Sequence, residues 1–201
     1  MTTTPEKTIA QLYRASRTPH LVDVPELTFL MVDGHGDPNT SDDYAAAVAA
    51  LFAVAYALRF AARRAGGPDE KVGPLEGLWW VPDMTRFSID DKSDWDWTMM
   101  IRVPGSTAAA LVERTARDVA ERKQLPAARR LRLERFTEGP AAQVLHVGPF
   151  SAEGPTVAAL HAFVDDAGLT LRGKHHEIYL TDIRRAAPER WKTIVRQPVG
   201  R

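Results

Sequence analysis

Cysteine is absent from the 201-residue chain, which removes disulfides, thiolate nucleophiles and thiolate metal sites together. Net charge is missing too: 26 Lys and Arg balance 26 Asp and Glu, so no overall field draws the chain to nucleic acid or to an anionic membrane. The basic groups that exist, Arg129, Arg130, Arg132 and Arg135, then Arg184, Arg185, Arg190, Lys192 and Arg196, are interleaved with acids or apolar residues and read as solvated faces. No direct nucleic-acid role is expected. Neither a Gly-rich phosphate loop nor a G-x-S-x-G elbow is present. The first residues, Met1-Thr-Thr-Thr-Pro-Glu-Lys, lack the basic-then-apolar order of a secretory signal, making the cytoplasm the expected location. The most apolar run, Tyr44 to Leu58, is shorter than the about 20 residues that span a bilayer and meets Arg59 directly. It is expected to be a buried helix, with no membrane partner.

With 44% hydrophobic residues, the chain can bury an ordinary core, and a single domain over 1–201 with an N-terminal extension at 1–20 is expected. Four of the five tryptophans fall between Glu76 and Pro104. Strand alternation places Trp95, Trp97, Met99, Ile101 and Val103 on one face of that stretch. Either Trp79 or Trp80, on the preceding strand of the hairpin, widens this slab. Such a surface is either core or the wall of a pocket for a flat, mostly apolar ligand, because an indole N–H seeks a partner when buried. The intervening loop is acidic, with Asp83, Asp90, Asp91 and Asp94, and is expected to fold over the open end of the hairpin.

The remaining elements follow from composition and capping. A short helix is expected over Thr8–Arg17 and a strand over Leu27–Val32. Asn39, Thr40 or Ser41 then caps a long Ala-rich helix that Gly66-Gly67-Pro68 ends. A second helix over Thr107–Gln124 starts at a Ser106 cap. Strands are expected at Leu131–Phe136, Gln143–Val147 and His175–Leu180, with a third helix from Pro155 to Ala167. A repeat emerges: strand, turn, Ala-rich helix and strand at Phe29–Gly77 recur at Val144–His175. The fold class expected is α+β, with two pseudo-symmetric strand-helix-strand-strand repeats. They would form a curved antiparallel sheet with helices on one face and an aromatic cleft.

Chemistry points to the last of these strands. His175, Glu177 and Tyr179 share one face, while His176, Ile178 and Leu180 share the other and are expected to meet the helices. A carboxylate in an apolar surround favours its protonated form and can act as a general acid or base near neutrality. Glu177 is therefore the candidate acid or base and Tyr179 its neighbour. His175 and Glu177 have no third ligand at a recognisable spacing, so no metal is expected, nor any other cofactor.

Several motifs together carry a resemblance. They are a strand ending Val32-Asp33-Gly34, Glu76-Gly77-Leu78-Trp79-Trp80, Trp95-Asp96-Trp97, and the C-terminal run from His176-Glu177-Ile178-Tyr179 through Asp182, Arg184, Arg185, Pro188 and Lys192 to Arg196-Gln197-Pro198-Val199. Over about residues 5–199 the chain resembles the GyrI-like small-molecule-binding family, in particular its stand-alone bacterial members. The resemblance implies two repeats around an aromatic cleft and binding of planar, hydrophobic, often cationic compounds. It also implies, for some members, hydrolysis of DNA-alkylating cyclopropanoid natural products as cellular protection. On this basis Glu177 and a tyrosine are the expected catalytic pair, Tyr179 being taken over Tyr44 and Tyr56 for its place beside Glu177, with Trp79, Trp80, Trp95, Trp97, Met99, Phe150 and His146 as ligand contacts. The rival expectations are a non-catalytic multidrug-binding protein that sequesters or senses its ligand, and a haem- or partner-binding module with His146 as the axial candidate.

Overall fold

The computed structural model describes residues 6–67, 70–88 and 91–201; Pro68 of the expected helix stop and Asp90 of the acidic loop lie outside them. The protein is α+β, and its strands pair antiparallel. The chain divides into two compact units: Leu27–Phe136, and Met1–Glu26 with Thr137–Arg201. We call them the central and the terminal unit. Two strands run through the division, β1 (His20–His35) and β4 (Arg132–Val147).

In the central unit, β1 leads into α2 (Asp42–Arg64), then β2 (Leu75–Trp80), β3 (Asp96–Arg102) and α3 (Ala109–Arg122). β3 lies in the middle, pairing with β1 through Leu30↔Ile101 and with β2 through Trp79↔Trp97. Ser41 caps α2, its side chain accepting from the Tyr44 N–H, and Asp42 and Asp43 occupy the first turn, where the helix dipole favours carboxylates. Ala47, Ala50, Leu51, Val54, Ala55 and Leu58 form the buried stripe of α2, at the spacing of one helical face. α3 buries Val112, Thr115, Ala116 and Val119. It begins at Ala108 without a side-chain cap, so the expected Ser106 cap is not used. The Ala-rich helix is longer than its most apolar run, and by length and composition alone it would suffice to cross a membrane; here its buried stripe belongs to the core of the central unit.

The terminal unit holds α1 (Glu6–Leu12), the second half of β4, α4 (Gly154–Asp166), and the strands β5 (Thr170–Leu171), β6 (His175–Tyr179) and β7 (Lys192–Gly200). Here β7 is the middle strand. β4 pairs with it through Val144↔Val195, β6 through Glu177↔Val195, and β5 through Leu171↔Val199. The central unit runs β1, α2, β2, β3 and the terminal unit β4, α4, β5, β6, β7, so both have a strand, a helix and then strands, with β3 and β7 in the middle.

Four expectations need correction. The strands expected at Leu131–Phe136 and Gln143–Val147 are one strand, continuous through Gly139, whose φ of 74° is a conformation glycine adopts without a Cβ penalty. β1 starts at His20, well before Leu27. The first helix ends at Leu12, short of Arg17. β7 was not foreseen, because Thr193, Arg196 and Gln197 give it no apolar alternation although all three are buried. Arg196 is tolerated there because every arm of its guanidinium is satisfied: Nε donates to Gln143 Oε1 at 3.0 Å, Nη1 to Glu138 Oε2 at 3.0 Å and Nη2 to the Leu12 carbonyl at 2.6 Å. His176 Nδ1 lies 2.9 Å from the other oxygen of Glu138. These partners hold the Glu138 carboxyl down to about 2, against a large burial penalty.

Candidate functional site

Cross-strand register decides which tryptophan joins the aromatic slab. Trp79 sits opposite Trp97, whereas Trp80 sits opposite Asp96 and projects from the other face. On the Trp97 face Tyr44 of α2 packs edge-on against Trp97 at 5.4 Å and lies 6.0 Å from Trp79, so this face meets the helix. Two glycines make room for it. A Cβ on Gly34 would overlap the ring of Trp97, its cross-strand partner, and one on Gly77 would come 2.8 Å from Trp79 Nε1. The Val-Asp-Gly and Glu-Gly-Leu-Trp-Trp motifs therefore each lay an indole, Trp97 and Trp79 respectively, over a bare backbone. Trp95 precedes β3 and lies 5.2 Å from Trp79, with Phe87 stacked on it at 4.8 Å and its Nε1 donating to the Ser88 carbonyl at 3.0 Å. The acidic loop accordingly closes on Trp95. Its Asp83 and Asp91 accept from Thr85 and Ser93, which lowers both carboxyls from the usual range. Met99 and Trp97 are fully buried, and the Trp97 indole N–H finds no acceptor among the described residues.

The terminal unit brings Glu177 and Tyr179 together. The phenol O–H of Tyr179 donates to Glu177 Oε2 at 2.7 Å, and His175 Nε2 lies 3.2 Å from Oε1. Glu177 is 7% exposed and His175 2%. The face they occupy is opposite to the one expected. Val195, level with Glu177 in the sheet, belongs to the core that Leu160 and Val164 of α4 complete. The helix side of the unit therefore carries Glu177 and Tyr179, while His176 points with Arg196 and Glu138 to the other side. Alternation says which residues share a face but not which face meets a helix.

Phe150, in the turn after β4, packs edge-on against Tyr179 at 5.6 Å and lies 5.0 Å from Trp191. Trp191 was not nominated from the sequence. The signature loop before it explains its place: Asp182 takes the Arg184 backbone N–H and guanidinium, which lowers its carboxyl to about 2, and Trp191 Nε1 donates to the Ala186 carbonyl at 2.8 Å. A tryptophan at the end of a charged run was the available signal. His146 shares the face of Tyr179 but stands across β7 from it, about 10 Å away at strand spacing. Both its ring nitrogens are engaged, Nδ1 with Thr156 Oγ1 at 2.9 Å and Nε2 with the Pro149 carbonyl at 3.2 Å. An axial haem ligand needs a free imidazole lone pair, which this arrangement does not offer. A separate cavity of about 240 Å³, between Leu58, Val72, Val103 and Leu111 of the central unit, holds none of the nominated residues.

Comparison with known proteins supports the fold. The GyrI-like small molecule binding domain matches residues 17–199. The crystal structure of a conserved protein from Listeria innocua is 40% identical, covers 97% of this chain and 98% of its own, and superposes with a TM-score of 0.89. Two crystal structures of hydrolases from Listeria innocua are each 38% identical with coverage of 97% and 98%, at TM-scores of 0.84 and 0.86. The C-terminal domain of EcmrR, 13% identical with coverage of 92% and 98% and a TM-score of 0.58, shares the fold alone. No curated protein matches the chain. By the match over nearly its whole length, the protein belongs to the family of GyrI-like small-molecule-binding domains.

Proposed function

We propose that the chain acts as one small-molecule-binding domain and hydrolyses cyclopropanoid alkylating compounds by adding water to the strained ring, with Glu177 as base and Tyr179 as hydrogen-bond donor. The observation that carries this is the 2.7 Å hydrogen bond from Tyr179 to a carboxylate that is almost fully buried on the sheet face where Val144 and Val195 join the α4 core. The hydrolases of Listeria innocua at 38% identity support turnover as the outcome of binding.

The chemistry needs only these two groups. Glu177 accepts a proton from water as the water oxygen forms its bond to the cyclopropane methylene. The ring C–C bond breaks, and its electron pair passes into the conjugated ring system, leaving a phenolate. Tyr179 O–H, free to rotate about its C–O bond, turns from Glu177 to that oxygen as charge builds on it. The proton held by Glu177 then passes to the phenolate to give the product phenol, so one water is consumed and the enzyme is regenerated. Each group contributes roughly 100-fold to 10,000-fold in rate at such a task. Phe150 packs on Tyr179 and Trp191 on Phe150, an aromatic surface suited to a planar compound, and a cationic ligand gains a further ~0.5–2 kcal/mol over an indole.

The test is mass-resolved conversion of a duocarmycin-type compound to its ring-opened alcohol. Wild type should convert it well above buffer, and Glu177→Gln and Tyr179→Phe proteins that still bind it, read from Trp fluorescence quenching, should be slower by at least about 100-fold. Equal rates in the variants refute the assigned roles. No product from wild type leaves a binder without turnover.

A further inference from the structure

We propose that His175 is the positioning residue of this site, fixing the Glu177 carboxylate from the side opposite Tyr179; the proposal rests on the assignment of Glu177 as the base. The three residues stand at i, i+2 and i+4 on β6, so they share one face and the carboxylate lies in the middle. Tyr179 donates to Oε2 and His175 Nε2 approaches Oε1, so the two contacts fall on different oxygens. An ionised carboxylate only accepts, which assigns the Nε2 proton to His175. The terminal torsion of a glutamate is otherwise broad, and two donors on different oxygens remove that freedom. A carboxylate oxygen carries two lone pairs, so accepting one hydrogen bond does not end its basicity, and a pinned group presents that basicity in a defined direction, as general-base catalysis requires.

Burial raises the stakes. Both residues are nearly inaccessible to water, so a Glu177 oxygen deprived of its donor has little solvent to replace it. Ionisable groups around His175 include Glu177 and Tyr179 on its own strand and His161 of α4, with Asp165 one turn further along that helix. The His161 ring is held below the usual histidine range, by burial first and by His175 second, and its Nε2 has no hydrogen-bond partner among the described residues. His175 Nε2, 3.2 Å from Oε1, is placed to be that donor.

The experiment compares full-length wild type, His175→Leu and His175→Gln, the last able to present an N–H at a similar reach. Two readouts are taken: the ¹³C carboxyl titration of Glu177, assigned with Glu177→Gln, and kcat and KM of ring opening against pH. In His175→Leu the Glu177 titration midpoint should rise by about one pH unit, since a donor to its charged form is lost. Its kcat should fall about 10- to 100-fold with KM changed less than about threefold, as for a misplaced catalytic group. The acid limb of the rate profile should move up with the titration, and His175→Gln should stay near wild type in all three. An unmoved Glu177 midpoint in His175→Leu, or equal losses in the Leu and Gln variants, overturns the positioning role. If wild type shows no turnover the hydrolase assignment falls, while the carboxyl titration still decides the role of His175. Should His175→Leu not fold, His175→Asn replaces it: its shorter arm cannot reach Oε1, so it must show the shift that His175→Gln lacks.

Discussion

Lowering the pH should unfasten the terminal unit at Glu138. This carboxylate, 1% exposed, bonds Arg196 at 3.0 Å and His176 at 2.9 Å, and these partners hold its folded-state value at about 2 against 4.5 for an unperturbed glutamate. Because the folded value is the lower one, the unfolded chain binds the proton first. The stabilisation is complete above about 4.5 and is lost as the pH falls from there through about 2. A depression of this size corresponds to about 3 kcal/mol, at roughly 1.4 kcal/mol per unit. Glu138→Gln removes the charge at every pH and leaves Arg196 buried beside a neutral amide, so at pH 7 the variant should be less stable by about 3–5 kcal/mol. Urea unfolding of both proteins between pH 7 and pH 2.5 tests the reasoning. With a slope near 2 kcal/mol per molar, the gap between them should narrow by about 1.5 M on acidification. A gap independent of pH would mean that Glu138 stabilises by shape and not by charge, and the argument would be wrong.

Two further outcomes follow from the packing. Gly34→Ala drives a Cβ into the Trp97 ring and should cost about 1–3 kcal/mol, a fall in Tm of roughly 3–10 °C, relieved when Trp97→Leu is added; an unchanged Tm would show that the indole can slide aside. Leu51→Ala opens a cavity under α2 and should destabilise by about 2–5 kcal/mol in calorimetry, and a loss below 1 kcal/mol would place the helix away from the core.

Much of the architecture is legible in the chain order. The apolar stripe and Ser41-Asp42-Asp43 start of α2, the Ala-rich helix behind Pro155, and the repetition of strand, helix and strand all come from local periodicity and capping, which depend on neighbours a few residues away. Alternation alone also groups His175, Glu177 and Tyr179 on one face, and two hydrogen bonds join them.

Tertiary structure decided what depends on distant partners. Trp79 and not Trp80 joins Trp97 because the register of β2 on β3 says so. Glu177 faces the α4 side because Val195, across the sheet, is bound into the α4 core. β7 became the middle strand of its unit although its sequence is polar. Arg196 and Gln197 can be buried there only because Glu138, Gln143 and the Leu12 and Arg172 carbonyls, remote in the chain, meet their donors. Trp191 reached Phe150, which packs on Tyr179, through a turn built on Asp182 and Arg184. A period of two or 3.6 residues encodes which side chains travel together; whether a buried charge is affordable, and which face closes against a helix, is settled only when segments far apart in sequence supply the compensating contacts.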